Sequence, residues 1–181
     1  MRLRWVGIAL IAMMPFHVAL RPEHGWLLLS GCDVAAMLTA VGLVASLPGP
    51  VGVGFLFQVA IGLPAFAIGL FTTYPLNPTG TIIHLVPPLV GGIVVARHGL
   101  PPRAALYAWF GAAGSIVFGY LFAPRALNIN FACAVWPPLA HVFTILQFQL
   151  ALLGAAAVLL ATANVVTRKV VAARPPPPAA S

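Results

Sequence analysis

Apolar residues fill this chain in six long blocks, and the few polar residues fall at the block ends or singly inside them. A helix needs about 20 apolar residues, with a range of about 17 to 25, to cross a bilayer. The blocks at about 5–20, 26–47, 51–74, 79–96, 103–122 and 139–166 meet or approach that length. The pattern predicts an all-α polytopic membrane protein, a six-helix bundle forming one domain over 1–170. Proline and glycine mark the joints at LPGPVG, YPLNPTG and HGLPPR. The tail over 171–181, ending ARPPPPAAS, is expected to be disordered and polyproline-like. The first block has a second reading. MRLRW ahead of VGIALIAMM has the basic start and short apolar core of a signal peptide. No A-x-A site follows, which favours an uncleaved helix.

Composition agrees with the pattern. Of 181 residues, 61% are hydrophobic and 6% charged, against about a quarter charged in soluble domains. The formal charge of +7 does not indicate nucleic acid, because the basic residues stand singly or in pairs at block ends, as membrane flanks do. No GxxxxGK[ST] loop is present, so ATP-driven work is not indicated.

Positive charge orients the bundle. With both termini cytoplasmic, Arg2, Arg4, Arg97, Arg103, Arg168, Lys169 and Arg174 lie inside, and only Arg21 and Arg125 outside. His17, Glu23, His24, Asn77, His84, Asn128, Asn130 and His141 then fall near the outer face. Asp33 is expected about two turns inside the second span, on one helical face with Ser30 and Trp26.

Ionisable residues within a span are costly and usually face the bundle interior. Asp33 is read either as a ligand, proton carrier or general base, or as a hydrogen-bond hub held by Arg21, Arg125 or a histidine. His84 shares a face with Thr81 and Pro88. Pro87 and Pro88 remove two backbone donors and free the carbonyls of Ile83 and His84, a device tolerated in lipid only where neighbours or water re-satisfy the backbone. Pro137 and Pro138 repeat it before His141. The fourth and last spans are therefore expected to be proline-kinked near the outer face.

Histidines suit a metal or haem, so His17, His84, His141 and Asp33 are candidate metal ligands. No HxxH, HxxxH or HExxH pair fixes two on one helix. Met13 and His17 form an i, i+4 pair, which would suit copper or simple packing. Asn128 and Asn130 in LNIN would bind a polar headgroup or sugar, or cap the start of the last helix. Arg125 would hold a phosphate or carboxylate or snorkel. Cys32 and Cys133 share the outer half, where a disulfide is permitted. Gly111, Ser115 and Gly119 recur every four residues, a small-residue stripe for helix packing, within the chain or with a partner.

These readings converge on a polar pocket opening at the outer face of a plasma membrane protein of the bacterial inner-membrane type. Asp33, His84 and His141 form its core, with His17, Asn77, Asn128, Asn130 and Arg125 around it. Its ligand would be a metal ion, a haem or other cofactor, or a lipid-soluble substrate. Two alternatives stand beside it. One is a non-catalytic subunit or assembly factor of a membrane complex. The other is a small-solute or ion transporter, which the mostly apolar cytoplasmic halves disfavour, Gln58, Gln147 and Gln149 being the exceptions.

Overall fold

A computed structural model describes residues 2–20, 25, 26, 28, 30–72 and 78–173. Among them the regular structure is entirely helical: α1 Arg2–Ala19, α2 Gly31–Ala45, α3 Pro48–Phe57, α4 Leu63–Thr72, α5 Pro78–His98, α6 Ala104–Phe122 and α7 Ile145–Ala172. A π turn, Gln58–Gly62, joins α3 to α4, so that residues 48–71 read as one long helix. Four helices are long and apolar enough to cross a membrane: this one, α5, α6 and α7. α1 and α2 are apolar but shorter.

Large apolar side chains cover the outside of the bundle, Phe71, Leu89, Trp5, Val158 and Leu146 among them. In water such a surface would drive association; in lipid it is an ordinary exterior. The interior is built on α3, which packs against α2, α5 and α6. Leu56, Phe57 and Ala60 meet Ala35 of α2, Ala104, Ala108 and Ala112 of α6, and Leu160 of α7 there.

Local chemistry sets the helix limits. α2 begins at Gly31, not at 26, because Ser30 caps it: the Asp33 N–H donates to Ser30 Oγ at 3.2 Å. Its 15 residues span about 22 Å, less than the roughly 30 Å of a hydrocarbon core. α7 begins at Ile145, not at 139. Thr144 and Gln147 form a reciprocal capping box, with Gln147 N–H donating to Thr144 Oγ1 and Thr144 N–H to Gln147 Oε1. Pro137 and Pro138 therefore lie in a short 3-10 turn, Pro137–Leu139, outside the last helix, and the kink expected of that helix is not formed by them. α7 also continues to Ala172, past the limit of 166. Pro87 and Pro88 do lie within α5, which carries on through both. Gly99, at φ 74°, closes α5 in the left-handed conformation that glycine adopts without cost.

The helices alternate in direction, and the contacts define two ends. At one end Arg168 Nη2 donates to the Pro101 carbonyl at 2.8 Å, and Gly52 packs on Pro101. Arg97, Arg103 and Lys169 belong to this end. The C-terminus of α1, the N-termini of α2 and α5, and the 123–144 connection form the other. Gln147 and Gln149 open α7 at that second end, and Gln58 reaches the first turn of α2. The placement of these three glutamines in the opposite halves is thus corrected, and the basic end is left more apolar still.

Gly7 lets α1 lie on α2. A Cβ there would sit 2.7 Å from the Ala40 carbonyl oxygen and 2.9 Å from Leu43 Cβ. Gly111 has open space instead. Gly7→Ala is expected to lower stability by about 1–3 kcal/mol through overpacking, and Gly111→Ala to leave it unchanged or raise it. Thermal melts in detergent would check this; equal effects would show that α1 does not pack as described.

Candidate functional site

Asp33 occupies the first turn of α2, at the third helical position after its cap, rather than two turns deep. Ser30 fixes it twice: besides accepting from the Asp33 N–H, Ser30 Oγ donates to Asp33 Oδ2 at 2.7 Å. The S-x-x-D spacing of SGCD is the sequence signal of such a cap. Although the turn is terminal, Asp33 is only 5% exposed, because α1 and α5 close over it.

His17 comes from the last turn of α1. Its Nε2 lies 3.9 Å from Asp33 Oδ1, and its Nδ1 lies 2.8 Å from Thr79 Oγ1 at the start of α5. A carboxylate accepts only, which suits a proton on His17 Nε2, with Nδ1 then accepting from the Thr79 hydroxyl. His17 is itself 7% exposed. One imidazole thus ties three helices together.

His84 supplies the third group. Its Nδ1 lies 2.7 Å from the Gly80 carbonyl, so that nitrogen carries the proton and Nε2 of the neutral ring is an acceptor. Phe66 of α4 stacks on the ring, with centroids 4.5 Å apart and planes 11° apart. His84 is within electrostatic reach of both Asp33 and His17. Beneath the three polar groups lies an apolar floor of Met14, Ala36 and Ile83, with Met13 and Met37 packed against it. Met13 of the Met13–His17 pair packs against that floor.

The other candidates separate from this cluster. His141 lies exposed in the turn before α7, and no contact joins it to Asp33 or His84. Arg125 is exposed, with its guanidinium carbon 6.0 Å from the centre of the Tyr120 ring, and does not pair with Asp33, which faces His17. Asn77, like Arg21, Glu23 and His24, lies outside the described residues. Asn128 organises its own loop: Oδ1 accepts from Cys133 and Ala134 N–H, and Nδ2 donates to the Ala134 carbonyl. Asn130 caps a different helix from the one expected. Its Oδ1 accepts from Gly31 N–H at 3.0 Å, and its Nδ2 donates to the Ser115 carbonyl at 3.0 Å, joining α2 to α6. Thr144 caps the last helix instead.

Among the described residues no three His, Cys, Asp or Glu side chains are arranged to hold a metal ion. Cys32 and Cys133 are free thiols. Ser115 is buried, and Gly119 packs against Ile129 and Ala132, so two positions of the small-residue stripe serve the chain itself. A groove of about 220 Å³ is lined by Ile116, Val117, Tyr120, Leu121 and Gln149. A crevice of about 40 Å³ lies between α2, α3 and α6. Neither is lined by Asp33, His17 or His84.

The sequence marks Gln58 only as a polar exception in an apolar run, and not as a member of this end of the bundle. It is wholly buried, and its Nε2 donates to the Cys32 carbonyl at 2.8 Å and reaches the Ile83 carbonyl at 3.5 Å. A lone glutamine amid 54–62 (GFLFQVAIG) was the available signal, since a buried amide requires partners.

Comparison of the chain with family models, curated proteins and solved structures gives no match.

Asn130 sits at φ 54°, in the left-handed region. Asn130→Gly removes both side-chain bonds but keeps the backbone relaxed, at an expected cost of about 1–3 kcal/mol. Asn130→Ala adds roughly 1–2 kcal/mol for a left-handed alanine. The expected order of melting temperature is wild type, then Gly, then Ala; a glycine variant melting below the alanine variant would contradict the assignment.

Proposed function

We propose that this chain is a multi-pass membrane protein of the plasma membrane with six helices in the bilayer and both termini cytoplasmic. The working site is Asp33 with His17 and His84, set at the outer face. It binds a lipid-soluble substrate or cofactor, or acts on one by acid–base chemistry. The observation that carries this reading is the His17 Nε2 to Asp33 Oδ1 approach of 3.9 Å, made by two side chains from different helices that are each less than one-tenth exposed. Ionisable groups so buried in an apolar bundle are retained for a reason more often than by chance. The basic residues at the opposite end support the orientation.

The chemistry follows from the atoms. Asp33 Oδ1 faces an imidazole N–H, while Oδ2 is held by Ser30, so a proton can move at Oδ1 without loss of the cap. His84 Nε2 offers an acceptor to a ligand hydroxyl or N–H, because Nδ1–H is committed to Gly80. Phe66 and the Met14–Ile83 floor favour an apolar body beside those polar atoms. A metal is supported less well, since the three groups do not converge as ligands. A second reading, a non-catalytic subunit of a membrane complex, is favoured by Gly111, which borders the crevice between α2, α3 and α6 and has nothing packed on it.

The test is mass spectrometry and visible absorption of gently solubilised protein, for a co-purified small molecule. Asp33→Asn keeps the shape of the side chain and its capping role while removing the charge and the base. Asp33→Asn and His84→Ala are each expected to insert and accumulate normally, yet to hold at least about tenfold less ligand, equivalent to about 1.4 kcal/mol of binding. Wild-type protein with no bound molecule, or variants that retain it fully, would overturn the reading and favour the subunit.

A further inference from the structure

Gln58 stands at the start of the π turn, where the extra residue rotates the following helix relative to the preceding one. Such turns frequently mark functional positions. The side chain is wholly buried and its amide is oriented by its neighbours. Nε2 points at two carbonyls, Cys32 O at 2.8 Å and Ile83 O at 3.5 Å. A flipped amide would set oxygen against oxygen at both, so the orientation is fixed by chemistry. The price is Oε1, which is buried with no hydrogen-bond partner. It lies over Gly62, and a Cβ at that position would overlap it.

The two carbonyls belong to the residues immediately before Asp33 and His84. The Ile83 carbonyl is the one that Pro87, four residues on, leaves without a helical N–H donor. Gln58 supplies that donor from another helix. Leaving a buried amide oxygen unpaired is costly, which is unexpected of an amide serving only to fill space; an apolar side chain of equal size would fill it without that cost.

Accepting the Asp33–His17–His84 cluster as the working site, we propose that Gln58 is its positioning residue. By holding the backbone carbonyls of Cys32 and Ile83, it sets the relative placement of Asp33 on α2 and His84 on α5. Gly62 is the second part of the device, since only glycine leaves room for the amide in this orientation.

The experiment is nitrogen-15 NMR of the histidine rings in solubilised full-length protein, with Gln58→Met and Gly62→Ala. Methionine keeps the volume and removes the donor. Alanine at 62 displaces the intact amide from its carbonyls. In both folded variants the ring signals of His84 and His17 are expected to shift, with those of His98 and His141 unchanged. A role in stability alone would lower the melting temperature without moving the His84 and His17 signals of the folded protein. Unchanged signals in either folded variant, or shifts at His98 and His141 of equal size, would overturn the proposal. Failure of both variants to fold would do so too, marking Gln58 as a structural strut. The signals are read without added ligand, so this outcome is independent of whether Asp33→Asn loses a bound molecule.

Discussion

A carboxylate buried in an apolar bundle must be surrounded by donors, and Asp33 is where that requirement organises this fold. Leaving it unpaired would cost several kcal/mol. Ser30 from its own helix and His17 from α1 meet the demand, with the His84 ring of α5 at the same end of the bundle. The same contacts bring the ends of α1, α2 and α5 together, with Thr79 closing the ring through His17. α1 and α2 are shorter than the four long apolar helices, residues 48–71 counting as one. Their shared end is therefore held by polar chemistry, whereas their other end is held by the close approach at Gly7.

The backbone poses a second demand of the same kind. With no water in a hydrocarbon core, every free N–H and C=O needs an internal partner. Asn130 reaches from the 123–144 connection to the Gly31 N–H and the Ser115 carbonyl, Gln149 donates to Ala132, and Gln58 supplies the donor that Pro87 withholds. Trp109 satisfies its own indole N–H and joins α6 to α7 by donating to the Leu153 carbonyl. Of these side chains Gln58 is wholly buried and the other three partly so. They account for how so apolar a chain settles one packing among helices whose apolar faces discriminate little.

The all-helical class and the four long apolar helices were legible in the length of the apolar blocks, because an uninterrupted run of that length has few other uses. That Asp33, His17 and His84 fall at one end follows from helix direction; that His17, and not His141, faces Asp33 does not. The helix starts were not legible, because an apolar residue before a cap looks the same as one after it. The S-x-x-D of SGCD and the T-x-x-Q of TILQ were the signals that would have placed Asp33 in a first turn and moved α7 past the prolines. His141 was set beside the others by its end of the chain; nothing in the sequence shows that it lies in an exposed turn. The sequence suggests Asn130 as a cap for the last helix, whereas its partners lie 99 and 15 residues before it. Such pairings depend on tertiary structure and leave no local trace.

The claim on which the account rests is that His17 and Asp33 face one another inside the bundle. A double-mutant cycle in thermal stability measures this directly, using His17→Ala, Asp33→Asn and the pair together. Residues in contact couple by about 0.5–3 kcal/mol. The account predicts coupling in that range, with His17→Ala costing less once Asp33 is replaced. Costs that add to within about 0.3–0.5 kcal/mol, as for distant sites, would contradict it.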